Sequence, residues 1–299
     1  MGGKETPMFD RLTVHEFFKR FPSDDACLDH LMEVRFGLRH DCRACGVEAT
    51  FHRLTQRKAY VCSRCGHHVY PCAGTIFQDS RTSLQSWFYA IYLFVTTRHG
   101  VSGKELERTL GVTYKTAWRM GQQIRTLMGK ANGFAMLTGH VELDEAYVGG
   151  RRSGGKRGRG APGKTIVMGM AERGGRTAAE VIPNVQKDTL REVTLRNVEP
   201  GAAVSTDELV SYNLLKGDGY KHGVVNHSEK DFAHYDYRTG ETHHTNTVES
   251  FWKLFKVSVR STHVHVSSKY MQRYLNEFTF RASHREMRNA MFDLLIAAV

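Results

Sequence analysis

A chain of 299 residues is long enough for about two domains with a sizeable core, which excludes a peptide or a disulfide-stapled miniature. Lys and Arg total 42 against 31 Asp and Glu, and the formal charge of +11 points to a polyanionic partner, nucleic acid or an anionic surface. The longest unbroken apolar run, Trp87 to Val95, is nine residues against the ~20 needed to cross a bilayer, which argues against a membrane protein. The opening MGGKETPMFD lacks the charged-then-apolar order of a secretory signal. Six cysteines in that setting predict a reducing compartment, the cytoplasm, where clustered thiols are more often metal ligands than disulfides.

In chain order, Thr13 to Phe36 reads as two short helices, the second opened by Ser23 and the acids Asp24 and Asp25. Arg39 to Ile76 is polar, weakly periodic and rich in Cys and His, a module held by something other than a core. Thr82 to Met128 reads as helical throughout. Beyond Gly139 short β-type runs alternate with Gly-rich turns: Val141–Val148, Thr165–Ala171, Ala178–Ile182, Ala203–Thr206 and His222–Val225. One helix, Lys187–Asn197, falls between the third and fourth, and two more, Thr247–Arg260 and Lys269–His284, follow. That order predicts an α/β domain with a mixed sheet.

Cys42-x-x-Cys45 and Cys62-x-x-Cys65 are separated by 16 residues, the spacing of a four-thiolate zinc ribbon, and Gly46 and Gly66 close each turn. Four sulfurs leave no open coordination position, so the single zinc ion is structural. Cys27 and Cys72 have no partner at ligand spacing and read as ordinary buried thiols. Ser102 and Glu105 open a helix to Leu110, Gly111–Thr113 makes a turn, and the next helix puts Ala117, Met120 and Ile124 on one face. This is a helix-turn-helix pattern, whose second helix offers Lys115 and Arg119 to DNA, with plain helix packing as the alternative. Trp87, Tyr89, Tyr92 and Phe94 read as bundle core.

Carboxylates punctuate the β region. In Val141–Glu145, Val141 and Leu143 share one face and Glu142 and Asp144 the other; Val204-Ser205-Thr206 leads to Asp207 at a strand end. On the helix after Asn246, Val248, Trp252, Phe255 and Val259 form an apolar stripe, which leaves Glu249, Lys253, Lys256 and Arg260 on a polar face. Glu249 and Lys256 are seven residues, about two turns, apart and point the same way. Two strand-end acids and one from a helix can hold divalent metal, although a solvated helix face is the alternative for the last. His227 is a further candidate, as is the basic loop Arg151–Lys164, in which Arg151, Arg152, Lys156, Arg157, Arg159 and Lys164 suit DNA phosphates.

The strings ELDEAYVGG with KRGRG, STDELVSY, YKHGVVNHS, HTNTVESFWKLFK and QRYLNEFTFR resemble the zinc-ribbon DDE transposases of bacterial insertion sequences, the ISXO-like group related to Merlin elements, over almost the whole chain. The resemblance implies N-terminal helices over 1–36, a zinc ribbon over 37–80, a helix-turn-helix region over 81–132 and a ribonuclease-H-like catalytic domain over 133–299. It implies an acidic triad of Asp144, Asp207 and Glu249 with Lys256 as the following basic residue. Asn246, three positions before Glu249, is the competing third ligand; Glu249 is preferred because a carboxylate also offsets metal charge. Two magnesium (or manganese) ions, DNA contacts from Lys253 and Lys256, and assembly of a homo-oligomer on paired DNA ends are further implications. The implied reaction cuts element ends and joins their 3′-hydroxyls to target DNA. A DNA-binding regulator with an inactive catalytic domain and a metal-dependent nuclease without strand transfer are the alternatives.

Overall fold

The computed structural model describes residues 12–149, 164–229, 233–287 and 290–299. They fall into two compact units: one takes the chain to Thr97, Val101–Leu127 and Glu286–Val299, the other Arg98–Gly100 and Met128–Arg285. Among the described residues no helix is long and apolar enough to cross a membrane.

The first unit opens with α1 (Val14–Arg20) and α2 (Asp24–Arg35). Thr13 and Glu16 form a reciprocal capping box at α1, each side chain accepting the other's backbone N–H, and Ser23 caps α2. Four short antiparallel strands follow, β1 (Arg39–Asp41), β2 (Glu48–Arg53), β3 (Tyr60–Cys62) and β4 (His68–Val69), paired in sequence order. The helical stretch read over Thr82 to Met128 comprises three helices, α3 (Leu84–Thr96), α4 (Gly103–Leu110) and α5 (Tyr114–Asn132). The first break has a local cause. Thr96 and Thr97 turn their hydroxyls back onto the carbonyls of Tyr92 and Leu93, both at 2.8 Å, and Gly100 sits at a left-handed φ of +83°. Ser102 caps α4 at the predicted place, and the turn at Gly111–Thr113 separates it from α5. Ala117, Met120 and Ile124 are fully buried, as their spacing predicts, and so are Trp87 and Phe94; Tyr92 is buried and Tyr89 half-buried.

The second unit is built on a five-stranded sheet. Its strands are β5 (His140–Val148), β6 (Thr165–Glu172), β7 (Thr177–Ile182), β8 (Ala203–Thr206) and β9 (Lys221–Val224), in the order β7-β6-β5-β8-β9. β5, β6 and β7 are antiparallel neighbours, whereas β8 and β9 run parallel to β5. One face, carrying Val141, Leu143, Met168, Met170 and Val204, is covered by Leu190 and Val193 of α6 (Lys187–Asn197) and by Tyr212 and Leu215 of a 3-10 helix, Val210–Lys216. A hairpin that the sequence reading did not anticipate, β10 (His234–Asp236) and β11 (Glu241–His243), leads into α7 (Asn246–Ser261) and α8 (Met271–Ser283). These two helices cover the opposite face, where Val248, Trp252, Phe255 and Phe278 bury Ala146, Val148 and Val167.

The chain ends with α9 (Ala290–Ala297), which returns to the first unit: Phe292 lies 6.0, 5.5 and 5.9 Å, centroid to centroid, from Phe17, Phe21 and Phe88. The α/β unit therefore stops at Arg285, short of the end at 299 assigned to it from sequence. A helix of AMFDLLIA must bury its apolar residues somewhere, and local periodicity carries no information on which core accepts them.

Candidate active site and metal centre

In the first unit two tight turns bring the cysteines together. Gly46 N–H donates to the Cys42 carbonyl and Gly66 N–H to that of Cys62, at 2.8 and 3.0 Å, with both glycines at positive φ, +72° and +76°. The sulfurs of Cys42, Cys45, Cys62 and Cys65 all lie within 4.8 Å of one another. Cys42 Sγ and Cys65 Sγ are 3.7 Å apart. A tetrahedral ion bonded to sulfur at ~2.3 Å requires a sulfur–sulfur edge of about 3.8 Å, so the donor set fits one zinc ion. The electrostatics agree: the Cys45 N–H, followed by the Ala44 N–H and neighbouring thiols, pulls the Cys42 thiol down to about 6. At Cys65 the His67 N–H acts downward, but burial and the three other cysteines together push the thiol up to about 12. Four thiols sharing one pocket thus hold one thiolate readily and resist the next, a conflict that a dication removes. Cys27 is pushed up to about 12 and Cys72 also upward, both chiefly by burial, as suits packed thiols outside the cluster.

In the second unit the parallel register pairs Glu142 with Ser205, and two residues further along β5 and β8 the same register runs to Asp144 and Asp207. This is the switch point of the sheet, where the chain leaves β5 for one side and returns at β8 on the other, the place at which open α/β sheets bind ligands. Burial pushes the Asp144 carboxyl up to about 6; Asp207 and Glu249 add to the rise, while Lys256 and the Glu145 N–H oppose it. Asp207, Glu249 and Lys256, singled out from the sequence, are therefore near enough to act on the Asp144 carboxyl. Glu249 lies in the first turn of α7, with Oε1 accepting from Thr245 Oγ1 at 2.8 Å and 3.3 Å from His227 Nε2. His227 Nε2 is also 3.1 Å from Thr245 Oγ1, and its backbone N–H donates to Glu208 at 2.9 Å. Val248, Trp252, Phe255 and Val259 are buried as predicted, and Lys256 is half-buried, whereas Asn246, Glu249 and Lys253 are exposed. Lys115 and Arg119 are exposed on α5 in the first unit. Arg151, Arg152, Lys156, Arg157 and Arg159 lie outside the described residues; Lys164 is half-buried.

Sequence reasoning noticed Glu142 without assigning it a partner. It is completely buried and caps α7: Oε2 accepts from the N–H groups of Thr247 and Val248 at 2.6 and 3.1 Å, and Oε1 from the Thr247 hydroxyl at 2.9 Å. Arg173 Nε donates to Glu142 Oε1 at 2.8 Å, and His244 Nδ1 is 2.9 Å from the same oxygen. Arg173 also donates to the carbonyls of Thr242 and His244. A fixed charge on β5 thus sets where α7 begins, and with it the position of Glu249 one turn in. An acid inside an apolar strand was the available signal for Glu142; nothing in the sequence singled out Arg173.

Comparison with known proteins agrees with this architecture. Residues 136–283 match the ISXO2-like transposase domain, and residues 22–68 match the transposase zinc-ribbon domain. An uncharacterized protein in transposable element ISH50 of Halobacterium salinarum is 28% identical over 287 residues, covering 88% of this chain and 92% of its own. An uncharacterized transposase-like protein of Haemophilus influenzae is 27% identical over 109 residues, 36% of this chain and 82% of its own. With a cysteine pocket in the one matched segment and the acids Asp144 and Asp207 at the switch point of the other, the chain belongs to the zinc-ribbon, ISXO2-like transposase family.

Proposed function

We propose that the protein is a metal-dependent DNA transposase that cuts at the ends of its element and joins the freed 3′-hydroxyls to target DNA. The observation that carries this reading is the parallel pairing of β5 with β8, which leads to Asp144 and Asp207 at the sheet's switch point, with Glu249 and Lys256 on α7 acting on the buried Asp144 carboxyl. The strand order, three antiparallel strands followed by two parallel ones, supports reading the second unit as a ribonuclease-H-like domain.

Asp144, Asp207 and Glu249 would hold divalent cations, magnesium or manganese, and their fit follows from the strain on Asp144: a buried carboxylate beside two others is a site in deficit of positive charge. Bound there, divalent metal supplies activation of the attacking oxygen and stabilisation of the leaving one. Glu249, whose carboxylate accepts from Thr245 and lies 3.3 Å from His227, is the third ligand in preference to Asn246, because a carboxylate also offsets metal charge. Lys256, on the Glu249 face of α7, holds a DNA phosphate against the carboxylates, and Lys253 holds one further out. Glu142 keeps the first turn of α7 in place, so Glu249 approaches without reorganising the backbone.

DNA contacts are assigned by charge to Lys115 and Arg119 on the helix-turn-helix pair α4–α5, to the zinc-supported ribbon and to the basic residues from Arg151 to Lys164. Domain limits of 1–36, 37–80, 81–132 and, for the catalytic part, 133–285 follow from this assignment. Two ends must be held together, which calls for a homo-oligomer on DNA.

Purified protein incubated with magnesium, labelled DNA carrying the element ends and a plasmid target tests the proposal. Wild type joins label to plasmid, whereas Asp144→Ala and Glu249→Ala bind the DNA and leave it unjoined. Cleavage without joining, even from pre-cut ends, would make it a nuclease; binding with neither reaction in any metal would make it a regulator.

A further inference from the structure

Hairpin β10–β11 has its faces reversed. A strand lying on a protein surface ordinarily turns apolar side chains inward and polar ones to water. Here His234 pairs with His243 and Asp236 with Glu241, and it is this polar face that turns inward. His243 is fully buried, with Nδ1 2.9 Å from Ser205 Oγ, while His234, Asp236 and Glu241 are half-buried. The outward face carries Tyr235, 50% exposed, followed by Tyr237, 91% exposed, their rings edge-to-face at 4.9 Å. The inversion has a cause below and leaves a question above. Beneath the hairpin lie Ser205, His140 and Arg173, which accept only polar neighbours; on its outer side two large rings face water.

The tyrosines are held on a firm base. Arg173 donates to the carbonyls of Thr242 and His244 at 2.6 and 3.1 Å. Gly223 on β9 lies so close beneath that a Cβ there would come within 2.2 Å of the His243 ring. The same Arg173 is bound to Glu142, the cap of α7. Hairpin and α7 are therefore fixed to one another. The three-residue strand β11 spans about 10 Å, which puts the rings roughly 10–15 Å from the start of α7. Glu241 Oε2 lies 3.3 Å from His140 Nδ1, and His140 is four residues, about 13 Å, before Asp144 on β5, so at about 3.4 Å per nucleotide the rings stand several nucleotides from a phosphate held at Asp144.

Two tyrosines offer at most ~500 Å² of contact, well under the ~800 Å² that each partner contributes to a stable protein interface. A flat ring is what they are large enough to cover. We infer that Tyr235 and Tyr237 form a stacking platform for an unpaired DNA base in the strand that leads to the phosphate that is cut. Exposed Arg238, next to Tyr237, lies within reach of that nucleotide's phosphate. The inference rests on the transposase reading and adds to it a requirement for local unpairing: DNA frayed near the element end binds better than fully paired DNA because a base is free to leave the helix.

The test uses the full chain with calcium in place of magnesium, so that binding is read without cleavage. Two probes carry the element end, one fully paired and one with a short unpaired fork containing 2-aminopurine, whose fluorescence falls on stacking. Wild type prefers the fork and quenches the probe. The double variant Tyr235→Ala/Tyr237→Ala loses about tenfold or more in fork affinity and loses the quench, with paired-duplex affinity within about twofold of wild type. Tyr235→Phe/Tyr237→Phe, which keeps both rings, restores both. Equal losses on the two probes, an alanine variant that still prefers the fork, or a change of oligomeric state by light scattering with fork binding intact would each overturn the inference, the last by assigning the rings to a second copy of the chain. Wild type that binds the paired duplex but shows neither preference nor quench overturns the inference and leaves the transposase reading standing. Wild type that binds neither probe overturns both.

Discussion

Asp144 is a place where the metal-free protein is held against its own stability, and replacing it should make the fold stronger while abolishing the reaction. Its carboxyl titrates at about 6 in the folded chain against 3.8 for the free group, with burial as the main cause and Asp207 next. The sign follows directly. A carboxylate whose folded pKa is raised binds its proton more tightly in the native state, so stability falls as pH rises between 3.8 and 6 and is constant above. The difference corresponds to about 3 kcal/mol at pH 8, roughly half that at pH 5, and almost nothing below pH 3.8. Asp144→Asn keeps the shape and removes the charge, at the cost of a partner for Lys256, which leaves a net gain of about 2–3 kcal/mol. For a unit of this size that is a rise in Tm of roughly 5–10 °C. The assay is calorimetry without added magnesium or manganese at pH 8 and pH 4.5. Wild type alone is a poor guide, because His140 and His222, pushed down to about 4 chiefly by burial, stabilise the fold above pH 6.5 and lose that contribution as pH falls toward 4. The difference between variant and wild type cancels them. Magnesium added at pH 8 should close the gap by stabilising wild type alone. A variant no more stable than wild type at pH 8, or a gap equal at both pH values, would refute the reasoning.

The structural zinc should appear as one equivalent per chain by metal analysis; Cys62→Ser or prolonged chelation removes it and collapses the NMR resonances of residues 39–69. Glu142→Ala leaves Arg173 and two α7 N–H groups without their buried partner and should cost about 3–5 kcal/mol in urea unfolding, far more than the loss of an exposed cap. Glu249→Gln should abolish joining and weaken manganese binding measured by calorimetry, whereas Asn246→Ala should retain both; the opposite pattern would move the third ligand by one helical turn. Lys253→Ala should lower DNA affinity for all sequences alike and reduce the slope of log affinity against log salt by about one.

What could be seen in the sequence was whatever is carried by spacing. Cys42 to Cys65 needed only two short turns and a fixed interval; the stripe from Val248 to Val259 needed only helical periodicity, and both are met in the structure. The mixed sheet was legible for the same reason, since its five strands are apolar runs bounded by turns. What escaped depends on contacts between segments far apart in the chain. Glu142 meets Thr247 across 105 residues, and Arg173 reaches Thr242 across 69, so neither partner advertises the other. The hairpin around Tyr235 escaped for a sharper reason: its alternation is sound but inverted, and a test for strands that expects the apolar face inside reads His-Tyr-Asp-Tyr as loop. Its polar face is an inner face only because His140, Ser205 and Arg173 lie beneath it, and they lie there because Glu142 requires a cation beside the end of α7. One buried carboxylate thus holds Arg173, which in turn binds the hairpin strand beside the first turn of α7. A charge that a core strand would normally reject is therefore the point to which both the first turn of α7, with Glu249, and the hairpin are held.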